Sequence, residues 1–112
     1  MNDAAKKLLV ARVRAALDPS LPVEEKKMFG GITFTVRGKM CVSVGKDRFM
    51  FRIDPAIHDA MVARKGCRTV VMKGREYKGY VYVNAEAASS ERELNEWIGL
   101  ALDYNRKLVA QS

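Results

Sequence analysis

Metal-binding and nucleophilic side chains are scarce in this sequence. Its one histidine, His58, and its two cysteines, Cys41 and Cys67, stand far apart with no Cys-x-x-Cys spacing. A tetrahedral structural zinc site cannot be completed from that set without carboxylates, so no metal is expected. Spacing assigns no serine or cysteine to His58 as a nucleophile, and it reads as a surface or half-buried helix residue. The two thiols are expected to be free and buried, as in a reducing cytoplasm. No apolar run approaches the ~20 residues that span a bilayer. The segment Met1–Lys7 lacks the apolar core and cleavage site of a secretory signal. Walker and G-x-G-x-x-G patterns are missing too, so the usual nucleotide-binding modes have no support. From these absences the expectation is a cytoplasmic, non-catalytic protein with no membrane partner and no cofactor.

What is present suits one ordinary folded domain. The 112 residues are 48% hydrophobic and 29% charged, enough to bury a core without a disulfide or metal staple. No repeat, low-complexity tract or linker divides residues 1–112. The formal charge is +7, and a basic surface concentrates anions, nucleic acid included. Yet the cations are scattered as Lys6-Lys7, Lys26-Lys27, Arg64-Lys65, Lys73 to Lys78 and Arg106-Lys107. Aromatic residues are not interleaved with them along the chain as a stacking platform would require. The plain reading is a solubilising surface. Nucleic-acid binding is the alternative, and it requires Lys6-Lys7, Lys26-Lys27 and Arg106-Lys107 to share one face.

Hydrophobic spacing predicts the elements. Ala5, Leu9, Val13, Ala16 and Leu17 mark an amphipathic helix from about Asp3 to Leu17, ended by Asp18-Pro19. Ser20 to Lys27 reads as a connector. Alternation then predicts three strands through Ile32–Val36, Met40–Val44 and Phe49–Ile53, turned at Arg37-Gly38 and Gly45-Lys46-Asp47. Asp54-Pro55 starts a helix that Gly66 is placed to end. Thr69–Met72 and Tyr80–Val83 form a second strand pair, linked through Gly74 and Gly79. Ser90 and Glu93 offer a capping box for a long helix through Leu94, Trp97, Ile98, Ala101 and Leu108. The result is an α+β fold, α-β(3)-α-β(2)-α, its antiparallel sheet packed on helices, with Trp97 as a core anchor.

Two stretches are too particular for generic packing: Lys27-Met28-Phe29-Gly30-Gly31-Ile32, followed by Gly38-Lys39-Met40, and Met72-Lys73-Gly74-Arg75-Glu76-Tyr77-Lys78-Gly79-Tyr80-Val81. With Arg52 between them, they resemble the TfoX N-terminal domain family over nearly the whole chain. The resemblance implies the same α-β(3)-α-β(2)-α order and a secretion-chaperone-like fold. Members include a regulator of competence for DNA uptake, in which this domain precedes a separate helical C-terminal domain. Here the sequence ends after the last helix, so that second domain is expected to be missing. The implied role is a regulatory or protein-interaction domain, with an unidentified protein partner, as monomer or homodimer.

The candidate anion or partner site comprises Met28, Phe29, Gly30, Gly31, Arg52, Arg75, Lys78 and Gly79. Gly30-Gly31 suits a small anion nest or, alternatively, a bulge or sharp entry into the first strand. Arg52 lies between Phe51 and Ile53, on the opposite face of its strand. If Arg52 converges with Arg75 and Lys78 on the linker between the last two strands, the three form a cationic site for carboxylate or phosphate, a small-anion sensor. The alternative is that Arg52 pairs with Asp47, Asp54 or Glu76 while the others are solvated.

Overall fold

The computed structural model describes residues 3–28 and 30–111, without the side chain of Asp3. Helix α1 (Asp3–Ala16) leads into β1 (Val23–Met28), β2 (Gly31–Val36), β3 (Lys39–Val44) and β4 (Arg48–Arg52). A 3-10 turn (Pro55–Ile57) and the short α2 (His58–Val62) follow, then β5 (Cys67–Met72), β6 (Arg75–Asn84), a second 3-10 turn (Ala85–Ala88) and α3 (Glu91–Ala110). All strand pairs are antiparallel, in the order β1-β2-β3-β4-β6-β5. The α+β order of helix, strands, helix, strands, helix therefore stands, with one strand more than expected.

The added strand is β1, in the stretch read as a connector. Val23-Glu24-Glu25-Lys26-Lys27-Met28 has no apolar alternation, because it is a mostly exposed edge strand of which only Val23 packs against the core. It pairs with β2 from Val23 opposite Val36 to Met28 opposite Gly31. Its charges also keep this edge from templating further pairing.

Two further boundaries differ. The helix expected from Asp54 to Gly66 is a 3-10 turn plus one short α-turn; Asp54 does cap it, accepting from the Ala56 N–H at 2.9 Å. Gly66 (φ +81°) serves the turn into β5 rather than the end of a helix. The linker expected around Gly74–Gly79 is mostly strand: Arg75 starts β6, and only Lys73-Gly74 (φ +54° and +75°) form the two-residue turn. Left-handed conformation at both residues matches the right-handed strand twist, as it does at Arg37-Gly38.

One face of the sheet carries the core. Phe34, Val36, Val42, Val44, Phe49, Phe51, Val81 and Val83 lie on it, fully buried. Over them pack Leu9, Val10 and Val13 of α1 and Leu94, Trp97, Ile98 and Ala101 of α3, with Ile57, Met61 and Val62 contributed by the α2 region. Trp97 is the expected anchor: its ring stacks on Phe51 at 5.4 Å between centroids. Each such large apolar side chain contributes about 2–3 kcal/mol on burial. The predicted capping box is present, with Ser90 Oγ accepting from the Glu93 N–H at 3.0 Å and Glu93 Oε1 accepting from the Ser90 N–H at 3.2 Å. Arg12 ties α1 to this helix start by donating to the carbonyls of Ala88, Ser89 and Ser90.

Candidate cation and aromatic site on the sheet

The sheet's other face carries no helix, because the apolar stripes of all the helices join the core on the first. Strand register determines which side chains it presents. Across one row stand Lys26, Thr33, Ser43, Met50, Tyr82 and Arg68, taken strand by strand from β1 to β5. On the neighbouring row Arg52 lies opposite Tyr80. Arg48 stands diagonal to Tyr82, two residues before Met50 on the same side of β4.

This register makes guanidinium groups and phenol rings into neighbours. The Arg48 guanidinium lies 3.6 Å from the Tyr82 ring centroid, and that of Arg68 lies 5.4 Å from the same ring. Arg52 sits 5.3 Å from Tyr80 and 5.8 Å from Tyr104 of α3. Tyr77 meets Tyr80 edge-on at 6.0 Å. Contacts of this kind hold the guanidinium planes by cation–π attraction while leaving the charge in place. No carboxylate of the described residues forms an ion pair with Arg48, Arg52 or Arg68.

Beside Tyr82 the face deepens into a pocket of about 280 Å³, lined by Gly30, Ser43, Lys46, Asp47, Arg48 and Met50 among others. Ser43 in its lining is held from beneath: Thr33 donates to Ser43 Oγ at 2.9 Å, and Ser43 donates to the Ile32 carbonyl at 3.4 Å. Gly30 (φ +74°) reaches this pocket from the β1–β2 hairpin. Gly31 allows a close approach that no side chain would, since a Cβ there would stand 2.0 Å from the Val44 carbonyl oxygen. The glycines thus shape a hairpin and the sharp entry into β2.

The eight expected site residues are distributed rather than joined. Gly30 enters the pocket, Gly31 supports it, and Met28 stands 42% exposed on β1; Phe29 lies outside the described residues. Arg52 joins the aromatic cluster and pairs with none of Asp47, Asp54 or Glu76. Lys78 faces Asp59 at 4.0 Å, and exposed Arg75 starts β6 opposite Met72. Arg52 is opposite Tyr80, so roughly 15 Å of strand separates it from Arg75. Gly79 serves the fold instead, its N–H donating to His58 Nδ1 at 2.8 Å.

His58 itself is more deeply buried than the surface or half-buried position expected of it. It is 3% exposed, held between Gly79 and Thr69, whose Oγ1 lies 2.9 Å from Nε2. Burial holds its pKa below the ordinary histidine range. Of the two thiols, Cys41 is buried, and that burial pushes it up to about 12, while Cys67 is only half-buried. Of the three lysine and arginine pairs named for nucleic acid, Lys6 and Lys7 line a groove with Glu25 and Ile32 at the β1 side of the sheet. Lys26 and Lys27 are adjacent in a strand and so face opposite sides, Arg106 pairs with Asp103, and Lys107 pairs with Asp54 at 2.6 Å.

The sequence reading missed Arg48, Arg68, Tyr82, Ser43 and Lys46. Arg48-x-Met50-x-Arg52 and Tyr80-x-Tyr82 share the two-residue period of one strand face. That period was the available signal, and only the order of the strands brings the two sets together. The family model for the TfoX N-terminal domain matches residues 15–104, a span that contains every side chain of this face. No curated protein and no solved structure matches the chain.

Proposed function

The chain belongs to the TfoX N-terminal domain family, and from that premise we propose that it is a non-catalytic regulatory module that binds an anionic partner through the helix-free face of its sheet. One observation carries this reading: Arg48 and Arg68 share that face and Arg52 stands at its end, where it also meets Tyr104 of α3, each beside a tyrosine ring and none paired with a carboxylate of the described residues. An arginine already paired is neutralised and costly to separate. Unpaired arginines held in place by rings keep their donors for an incoming anion at little ordering cost. The net charge of +7 draws such a partner in.

An apolar docking interface with a protein has less support. The exposed large hydrophobic residues among those described are Leu8, Met28 and Val71. They lie on α1, β1 and β5, the last two at opposite edges of the sheet, and not as one patch of several hundred Å².

Retention on immobilised heparin at rising salt tests the reading. The Arg48→Ala/Arg52→Ala/Arg68→Ala variant is expected to elute at distinctly lower salt than wild type. Equal elution of the two, with folding verified by circular dichroism, would refute it.

A further inference from the structure

The helix-free face holds more than charge, and the rings decide what kind of anion it fits. We infer that it is a single-stranded nucleic-acid site, in which bases stack on the Tyr80 ring and on the Arg48 plane laid over Tyr82, while phosphates meet the guanidinium edges of Arg48, Arg52 and Arg68. The inference rests on the anionic-partner reading above and deepens it.

A duplex or an acidic peptide offers charge to such a surface and nothing that uses the rings. Lysines alone would serve either one, as a diffuse field. Here the guanidinium groups instead alternate with phenols: Arg68 and Arg48 flank Tyr82 at 5.4 and 3.6 Å, and Arg52 lies 5.3 Å from Tyr80. Single strands are bound by that combination, since every unpaired base has a π-face and both aromatic and guanidinium planes accept it. Tyr80 and Tyr82 project from the same side of β6, about 7 Å apart along the strand, so successive platforms are set by the pleat. Both are half-buried, held by their neighbours yet reachable from solvent. The pocket beside Tyr82 adds Lys46 as a further cation, next to the Asp47 carboxylate in the same lining.

Fluorescence anisotropy with oligo-U and oligo-dT of about twelve residues tests the inference, at low and at physiological salt, with heparin, poly-aspartate and a duplex of matched length as competitors. Binding is expected, with log K falling against log salt at a slope of roughly −2, about −0.7 for each of three phosphate contacts. Tyr82→Leu and Tyr80→Leu are each expected to weaken it roughly tenfold or more, by loss of a stacking base. Tyr82→Phe and Tyr80→Phe should retain it, which separates stacking from misfolding. Heparin, poly-aspartate or duplex competing as well as the single strand would overturn the inference and leave the anionic-partner reading standing. The inference also falls if the leucine and phenylalanine variants bind alike. If wild type binds no polyanion at low salt, both fall.

Discussion

Protonation of His58 should loosen the contact between α2 and the β5–β6 hairpin, and the size of the effect follows from hydrogen-bond direction. A backbone N–H can only donate, so the Gly79 N–H at 2.8 Å requires His58 Nδ1 to be the bare nitrogen. Nε2 then carries the proton and donates to Thr69 Oγ1 at 2.9 Å. A second proton would set N–H against N–H in a site that is 3% exposed. Burial accordingly lowers the histidine pKa, with Asp59 and Glu76 opposing and Lys78 reinforcing the shift. The unfolded chain takes up the proton first, near pH 6.5, so stability is lost as pH falls below that value. One proton limits the slope to about 1.4 kcal/mol per pH unit, which makes the loss between pH 7.5 and 5.5 at most about 1.4 kcal/mol. The carboxylates held low by their partners, among them Glu25 by Arg14 and Asp54 by Lys107, lose their contribution only below about pH 4.5.

Urea unfolding at pH 7.5 and 5.5 reads this directly, as a fall in midpoint of up to about 1 M at constant m. His58→Gln offers an amide oxygen to Gly79 and an amide N–H to Thr69 and does not titrate, so its midpoint should stay level over the same interval. Parallel curves for the two proteins would refute the reasoning. So would a wild-type His58 resonance that titrates at or above pH 6.5 in the folded state, a measurement that needs no variant.

Glycine substitutions should divide by the space around each. Gly31→Ala puts a Cβ 2.0 Å from a backbone carbonyl and is expected to cost several kcal/mol by urea unfolding, whereas Gly99→Ala, in α3 with nothing within 4 Å, should stabilise by about 0.5–1 kcal/mol. A thiol reagent at pH 8 should label half-buried Cys67 alone in the native protein, Cys67→Ser should abolish that labelling, and Cys41 should react only after unfolding.

Much of the fold was legible because its core elements obey strict periods. Phe49, Phe51 and Ile53 alternate inward in fact as in pattern, and Trp97 lies on the stripe with Leu94, Ile98 and Ala101. The errors fall where burial is not one-sided. β1 shows no alternation since all of it but Val23 is exposed, and the segment around Gly74–Gly79 hides a strand behind turn-forming glycines. His58 was misplaced for a related reason: a polar ring on a short helix reads as exposed unless the hairpin that buries it is known. Gly79, singled out for its place in a motif, is that missing partner.

The site was illegible for a topological reason. Arginine and tyrosine do not interleave along the chain; they interleave in space, because β6 is inserted between β4 and β5. That one step places Tyr80 and Tyr82 between Arg48 and Arg52 on β4 and Arg68 on the edge strand. The same insertion explains why Arg52 and Arg75 part company. Arg52 enters the register at Tyr80, while Arg75 lies at the far end of the β5–β6 hairpin beyond the sheet's centre. Charge clusters counted in sequence therefore mislead in a sheet of this order. Moving Arg48 to a lysine keeps the count and the net charge but gives up the plane that rests on Tyr82, so Arg48→Lys should weaken single-strand binding while leaving heparin retention near wild type.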